Sequence, residues 1–325
     1  MMGALMMQWI TYSRVARGRN TILLFVSFLL MPFGHAQNAP TQHIVTLRTT
    51  RLAQDLYLIQ PPPDSEDGNV LAFCSQEGTL LSDTGLSRVV PQLQNAIELL
   101  PCQNKMVKYV INTHWHVDHA GGNKTFANVG ALIIAQDETR KLMSSDQKLL
   151  GSTVSAYPES ARPVVTFSVD LTLHMKNGDV TALYYPNSHT GGDVVVNFAQ
   201  QKILHIGDLY YGAVFPWVDA AHGGTLMGLR RSIEKLLQQP DSVTFVPGHG
   251  DPVGRLELKT MAKMIDESFE IVRQGISQGL SLKQIQEKGI PDHWKSWEWD
   301  GMSTSAWIGN LYDELKKNVE PATSH

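Results

Sequence analysis

A chain of 325 residues with 42% hydrophobic and 18% charged side chains has the make-up of a globular protein, with room for one large domain or two small ones. It carries 27 basic against 31 acidic residues, a net charge of −4, and this balance argues against nucleic-acid binding, which wants a basic surface. There is no internal repeat or low-complexity run, so collagen, coiled coil and disorder are excluded as well.

The first 36 residues read apart from the rest. Arg14, Arg17 and Arg19 precede an uncharged apolar stretch over residues 21–31, and Gly34-His35-Ala36 places small residues before Gln37. This is the pattern of a secretory signal cut after Ala36. The apolar run is short for a membrane span, so no stable membrane association is expected after cleavage. The expected product is a secreted or periplasmic chain, residues 37–325. Loss of three arginines and no acid leaves it 24 basic and 31 acidic residues, a net charge of −7. Both cysteines, Cys74 and Cys102, lie in that part. Export permits a disulfide between them, but Cys74 sits in the apolar run Val70-Leu71-Ala72-Phe73-Cys74, where a buried free thiol is equally at home.

Along the mature chain, residues 56–59 read as a first strand ended by Pro61-Pro62-Pro63. Residues 69–75 and 79–82 form a hairpin around Glu77-Gly78, followed by Asp83-Thr84-Gly85. Residues 86–100 carry helical spacing up to Pro101. Residues 107–112 are β-branched and apolar, a buried strand. That strand runs into Thr113-His114-Trp115-His116-Val117-Asp118-His119-Ala120-Gly121-Gly122. His114 and His116 are two apart, so an extended end puts both on one side and they can grip one ion. Asp118 and His119 follow at a turn and can grip a second. Neutral imidazoles with a carboxylate suit a divalent ion such as Zn²⁺. Isolated histidines default to loop residues without a task; three with an aspartate in six positions do not.

Residues 131–135 are a further strand, with Asp137 as expected N-cap of the helix that follows. Asn177-Gly178 marks a hairpin turn between residues 171–175 and 180–185. His189 then stands between two strands. Asp208 ends the strand 203–207, which contains His205, a core or supporting histidine. Residues 226–238 and 256–275 are helical, and His249 follows the strand 243–247 between two glycines. Each chemistry-bearing side chain thus lies just past an apolar strand, and strands alternate with helices as in an α/β sandwich. In the loop 215–224, His222 reads as solvent-facing, with substrate contact as the sharper alternative. Trp294, Trp297, Trp299 and Trp307 are expected to pack a C-terminal helix, residues 303–317, onto the body.

The motif His114-x-His116-x-Asp118-His119 resembles the HxHxDH signature of the metallo-β-lactamase superfamily. Asp83-Thr84-Gly85, His189, Asp208 and His249 match its later blocks in order. The resemblance implies a four-layer αββα sandwich in one catalytic domain with a C-terminal helical extension. It implies two zinc ions, one on His114, His116 and His189, the other on Asp118, His119 and His249, with Asp208 between them. A water shared by such ions has a pKa of about 7, and Asp118 would orient it and take its proton. Asp83 is expected to support the ligands. The substrate would be a small-molecule ester, thioester, lactone or β-lactam. Many true metallo-β-lactamases carry Cys where this chain has Asp208, with Lys three residues on where it has Tyr211, and the bridging Asp instead resembles glyoxalase II-like hydrolases. Iron-dependent oxidoreductases share the fold, so the ligand set leaves iron open beside zinc, and the sequence is silent on oligomeric state. The complete ligand set argues against a binding protein with a dead site.

Overall fold

The computed structural model describes residues 45–319 apart from position 64; the expected signal segment lies outside the described residues. In chain order the strands are β1 (Arg48–Ala53), β2 (Leu56–Gln60), β3 (Val70–Ser75), β4 (Gly78–Ser82), β5 (Val107–Ile111), β6 (Leu132–Gln136), β7 (Gln147–Leu149), β8 (Ser152–Val154), β9 (Val165–Phe167), β10 (Asp170–Leu173), β11 (Val180–Tyr184), β12 (Val194–Phe198), β13 (Ile203–Gly207) and β14 (Thr244–Pro247). The helices are α1 (Val90–Leu99), α2 (Val117–Ala120), α3 (Asn123–Asn128), α4 (Asp137–Met143), α5 (Leu226–Leu236), α6 (Arg255–Ser277), α7 (Leu282–Lys288) and α8 (Thr304–Val319).

Two sheets result. The first has the order β1-β2-β3-β4-β5-β6-β9 and the second β10-β11-β12-β13-β14, while β7 and β8 form a separate hairpin. Side-chain alternation along each strand sorts the apolar residues into layers. Leu56, Leu58, Leu71 and Phe73 of the first sheet meet Val194, Val196, Phe198 and Ile203 of the second in one core between the sheets. Their neighbours Tyr57, Ile59 and Ala72 point the other way, onto Leu93 and Ile97 of α1 and Phe126 of α3. On the opposite outside, Val195, Leu204 and Phe245 pack on Leu229 of α5, Leu258 of α6 and Trp307 of α8. Helix, sheet, sheet, helix is the expected αββα arrangement, and strands buried on both faces explain why they read as continuous apolar runs rather than alternations.

Trp294, Trp297 and Trp307 are buried as expected, and the half-exposed Trp299 donates its Nε1–H to the Phe215 carbonyl at 3.0 Å. Two details differ from the sequence reading, and a third settles a choice it left open. An earlier strand, β1, precedes residues 56–60; its exposed, polar run Arg48–Arg51 gave no period to detect. The cap of α4 is Gln136, whose side chain accepts from the Glu138 N–H at 2.5 Å, so Asp137 is the first helical residue. Cys74 and Cys102 form a disulfide, with Cα atoms 5.2 Å apart. Among the described residues no helix is long and apolar enough to cross a membrane.

Candidate metal centre

Seven side chains converge where the two sheets' strand ends meet. His114, His116 and His189 form one cluster, and Asp118, His119, Asp208 and His249 another, the ligand atoms of each lying within 4.8 Å of one another. These are the seven residues singled out from the sequence. Four come from the segment after β5, and the other three follow β11, β13 and β14. The strand ends are tied together: the Val194 N–H donates to the Thr113 carbonyl at 2.7 Å, and the Gly248 N–H to the Gly207 carbonyl at 2.7 Å.

In the first cluster every imidazole has its outward nitrogen engaged. His189 Nδ1–H donates to the Trp217 carbonyl at 3.1 Å. His116 Nε2–H donates to Asp219 Oδ2 at 3.0 Å. His114 Nδ1–H reaches Thr113 Oγ1 at 3.0 Å, and that hydroxyl donates to Asp83 Oδ2 at 2.7 Å. These partners accept only, or have already spent their proton, so they fix the tautomers. The inward nitrogens are therefore bare lone pairs. His114 Nε2 and His189 Nε2 nonetheless stand 3.0 and 3.1 Å from His116 Nδ1. Lone pairs crowded this closely in a buried space repel unless a cation lies among them. Burial also pushes the His189 pKa down to about 4, which keeps the ring neutral, as a ligand must be.

The second cluster needs positive charge for a different reason. His119 Nδ1–H donates to Asp83 Oδ2 at 2.9 Å, which leaves Nε2 facing two carboxylates, Asp118 Oδ2 and Asp208 Oδ1, each at 3.2 Å. Burial alone would lower the His119 pKa, but Asp118, Asp208 and Asp83 together hold it well above the ordinary value. The site thus draws in a cation, and a bare proton serves where a metal ion does not. Burial opposes charge on Asp208, yet His119 and His249 hold its carboxyl well below the usual range. Asp208 Oδ1 is buried beside His119 Nε2, while Oδ2 lies 3.6 Å from His189 Nε2 and 3.7 Å from His249 Nε2. The carboxylate thus straddles both clusters. This donor set fits two divalent ions.

The backbone is shaped to allow this approach. Asp83 takes φ +65°, a left-handed conformation that Asp tolerates, and its carboxylate also accepts the Thr113 N–H at 2.7 Å. A Cβ at Gly248 would stand 2.0 Å from Asp208 Oδ1 and 2.8 Å from His119 Cε1. One at Gly224 would stand 2.2 Å from the His189 carbonyl oxygen.

The sequence profile of the metallo-beta-lactamase superfamily matches residues 64–249. The chain belongs to this superfamily. Two hydroxyacylglutathione hydrolases are among its relatives. That of Erythrobacter litoralis is 31% identical over 105 residues, 31% of this chain and 34% of the relative; the chain therefore spans about a third of that protein's length. That of Pelagibacter ubique is 24% identical over 190 residues, 54% of this chain and 69% of the relative. A solved metallo-beta-lactamase from Pontibacter korlensis superposes with a TM-score of 0.55 at 22% identity, over 68% of this chain and 99% of its own, a likeness of fold. Within the superfamily fold, His205 is buried and its Nδ1 lies 2.6 Å from Ser82 Oγ, a supporting residue as read from the sequence.

His222 departs from its expected solvent-facing role. Its side chain is 8% exposed, Nδ1 lies 2.7 Å from both oxygens of Asp219, and its ring meets the Trp115 ring edge-on. Asp219 and Trp217 had drawn no role from the sequence. The Trp217 ring stacks on His116, with centroids 5.6 Å apart, and meets His189 edge-on. A Trp and an Asp in a loop with no regular spacing give no local signal, and only the chain's return past His116 and His189 makes them neighbours of the site.

Proposed function

We propose that this chain is a dinuclear zinc hydrolase of a small acyl substrate, acting outside the cytoplasm. The observation that carries the reading is the Asp208 carboxylate standing between two clusters of bare donor atoms, each in need of positive charge. The hydrolase chemistry is also that named for both hydroxyacylglutathione hydrolase relatives.

His114, His116 and His189 would hold one ion, Asp118, His119 and His249 the other, and Asp208 both. Zinc bound there would supply Lewis acidity and a water with a pKa of about 7. The protein's own groups do the rest. Asp118 and His249 keep 23% and 27% of their side-chain surface exposed, while His114, His119 and His189 keep almost none. Substrate therefore approaches over Asp118 and His249. The Asp118 carboxylate would orient the attacking water towards the acyl carbon and accept its proton. The Trp217 ring closes the side of His116 and His189 to solvent. A pocket of about 350 Å³ adjoins His249, with Pro61, Pro62 and Pro63 as a rigid wall and Arg48 at its edge, and takes the rest of the substrate.

Among acyl classes, esters, thioesters and lactones fit better than β-lactams. Tyr211, three residues past Asp208, offers no cation for a lactam carboxylate; its buried hydroxyl instead receives the Trp217 N–H. The disulfide between Cys74 and Cys102 supports an oxidising compartment, in line with the export signal read from residues 1–36.

The test is elemental analysis of the purified mature chain together with turnover of an aryl ester, an acyl lactone, a glutathione thioester and a chromogenic cephalosporin. About two zinc ions per chain and turnover of an acyl substrate that disappears in Asp118→Ala are expected. A single iron with no hydrolysis would overturn the reading in favour of redox chemistry.

A further inference from the structure

The loop over residues 215–224 does more than border a pocket. It contacts two of the three histidines of the first cluster at the nitrogen pointing away from the centre: the Trp217 carbonyl takes the proton of His189 and the Asp219 carboxylate that of His116. Asp219 is itself held from several sides. Its N–H donates to the His189 carbonyl at 2.8 Å, and its own carbonyl accepts the Gly224 N–H at 2.9 Å. Its carboxylate also accepts His222 Nδ1–H at 2.7 Å. The carboxylate is thus shared between two imidazoles, one aimed at the centre and one wedged against Trp115. It is 3% exposed, so little water competes for its oxygens.

We infer that Asp219 and His222 form a positioning pair that sets the metal affinity of the first cluster through His116. The inference rests on the metal-dependent reading above. A carboxylate accepting the far N–H of a ligating imidazole fixes its tautomer, locks its plane and raises the basicity of the nitrogen that binds, and losing such a partner typically costs about 10–100-fold in metal affinity. His222 contributes one step further out. It fills the second acceptor position of Asp219 and stops the carboxylate from rotating away from His116. The second cluster has its counterpart in Asp83 behind His119, which the loop does not touch, so the effect is confined to one ion.

The experiment is zinc titration of the metal-free full chain against a chromophoric chelator, resolving the two binding steps, with thermal melting of the metal-free proteins alongside. The step that vanishes in His189→Ala identifies the first cluster. Asp219→Ala is expected to weaken that step about 10–100-fold, to leave the other step unchanged and to lower metal-free melting only slightly, as two buried imidazole N–H groups lose their acceptor. Asp219→Asn, which keeps one acceptor oxygen, restores part of the loss, and His222→Ala produces a smaller loss than Asp219→Ala. Parental affinity in Asp219→Ala overturns the inference, as does equal weakening of both steps or a drop in metal-free melting that accounts for the lost affinity. If the parent takes up no zinc, the dinuclear reading falls and this inference with it; two zinc ions with an indifferent Asp219→Ala sinks the inference alone.

Discussion

The two clusters solve one problem in opposite ways. The first is made of three buried imidazoles, each with its outward nitrogen bonded to a protein acceptor, so its donor atoms are fixed before any ion arrives. The second mixes imidazole with carboxylate and leaves Asp118 and His249 partly open to solvent. Among the described residues His119 has a supporting carboxylate in Asp83, whereas no hydrogen bond reaches His249 Nδ1. A closed, pinned site is suited to retaining an ion. An open site with a free carboxylate edge is suited to admitting substrate and moving a proton. Burial and access cannot both be maximal at one ion, and a dinuclear centre divides them.

That contrast is most sharply tested at Asp208, a member of the second cluster whose Oδ2 reaches to 3.6 Å from His189 of the first. Asp208→Ala removes the straddling carboxylate, and kcat/KM for the best acyl substrate should fall by about a thousandfold or more, ~4 kcal/mol of transition-state free energy, with both zinc-binding steps weakened. A variant that lost only one ion would place Asp208 in a single cluster.

Next come the single-ligand variants. His189→Ala and His249→Ala should each leave one ion per chain by elemental analysis, but not the same one. The ion kept by His249→Ala should resist chelator about 10–100-fold better than the one kept by His189→Ala, given its pinned imidazoles. Equal resistance would mean that burial and support do not separate the two sites.

A smaller effect is expected from His205, which lies on β13, the strand just before Asp208, and bonds to Ser82 beside Asp83. Burial lowers its pKa to about 4, against ~6.5 unfolded. Above pH ~6.5 the ring is neutral in both states and costs nothing. As pH falls from there to about 4, the unfolded chain takes up a proton that the native one refuses, so stability declines, by ~3 kcal/mol over the window. Urea unfolding of the metal-free protein and of His205→Gln across that range should differ in slope, and parallel profiles would show that His205 does not titrate this way.

The weakest effect on the centre should come from the disulfide, which joins β3 to the segment before β5 on the helix-covered side of the first sheet. Closing a loop with a sequence separation of 28 residues, it should contribute about 3–4 kcal/mol of stability on a chain-entropy account. Cys74→Ala/Cys102→Ala should therefore melt lower while kcat of the folded enzyme is unaltered. A change in kcat would connect the outer helical layer to the metals.

The seven residues that converge in the two clusters were legible in the sequence because each follows an apolar strand, and strand ends are where a sandwich of this kind exposes side chains. The sheets were legible for the same reason, their doubly buried strands being continuous apolar runs. What stayed hidden depends on contacts between distant segments. Asp219 and His222 sit in an aperiodic loop, and their meaning comes from His116, about a hundred positions away. The pairing of Cys74 with Cys102 depends on how α1 lies across the sheet. β1 is an exposed edge strand with polar side chains. Gln136 displaced Asp137 as cap because β6 runs one residue further than its apolar stretch.

Gly248 carries a lesson for anyone who would remodel this enzyme. Even a methyl group there would collide with the carboxylate oxygen that faces His119, so a saturation library at this position screened for hydrolysis should return glycine alone, while one at the exposed Arg48 at the pocket edge should return many residues. Catalyst engineering has its freedom at the rim beside His249 and none beneath it. New substrates would be won by changing the walls, with the floor left as it stands.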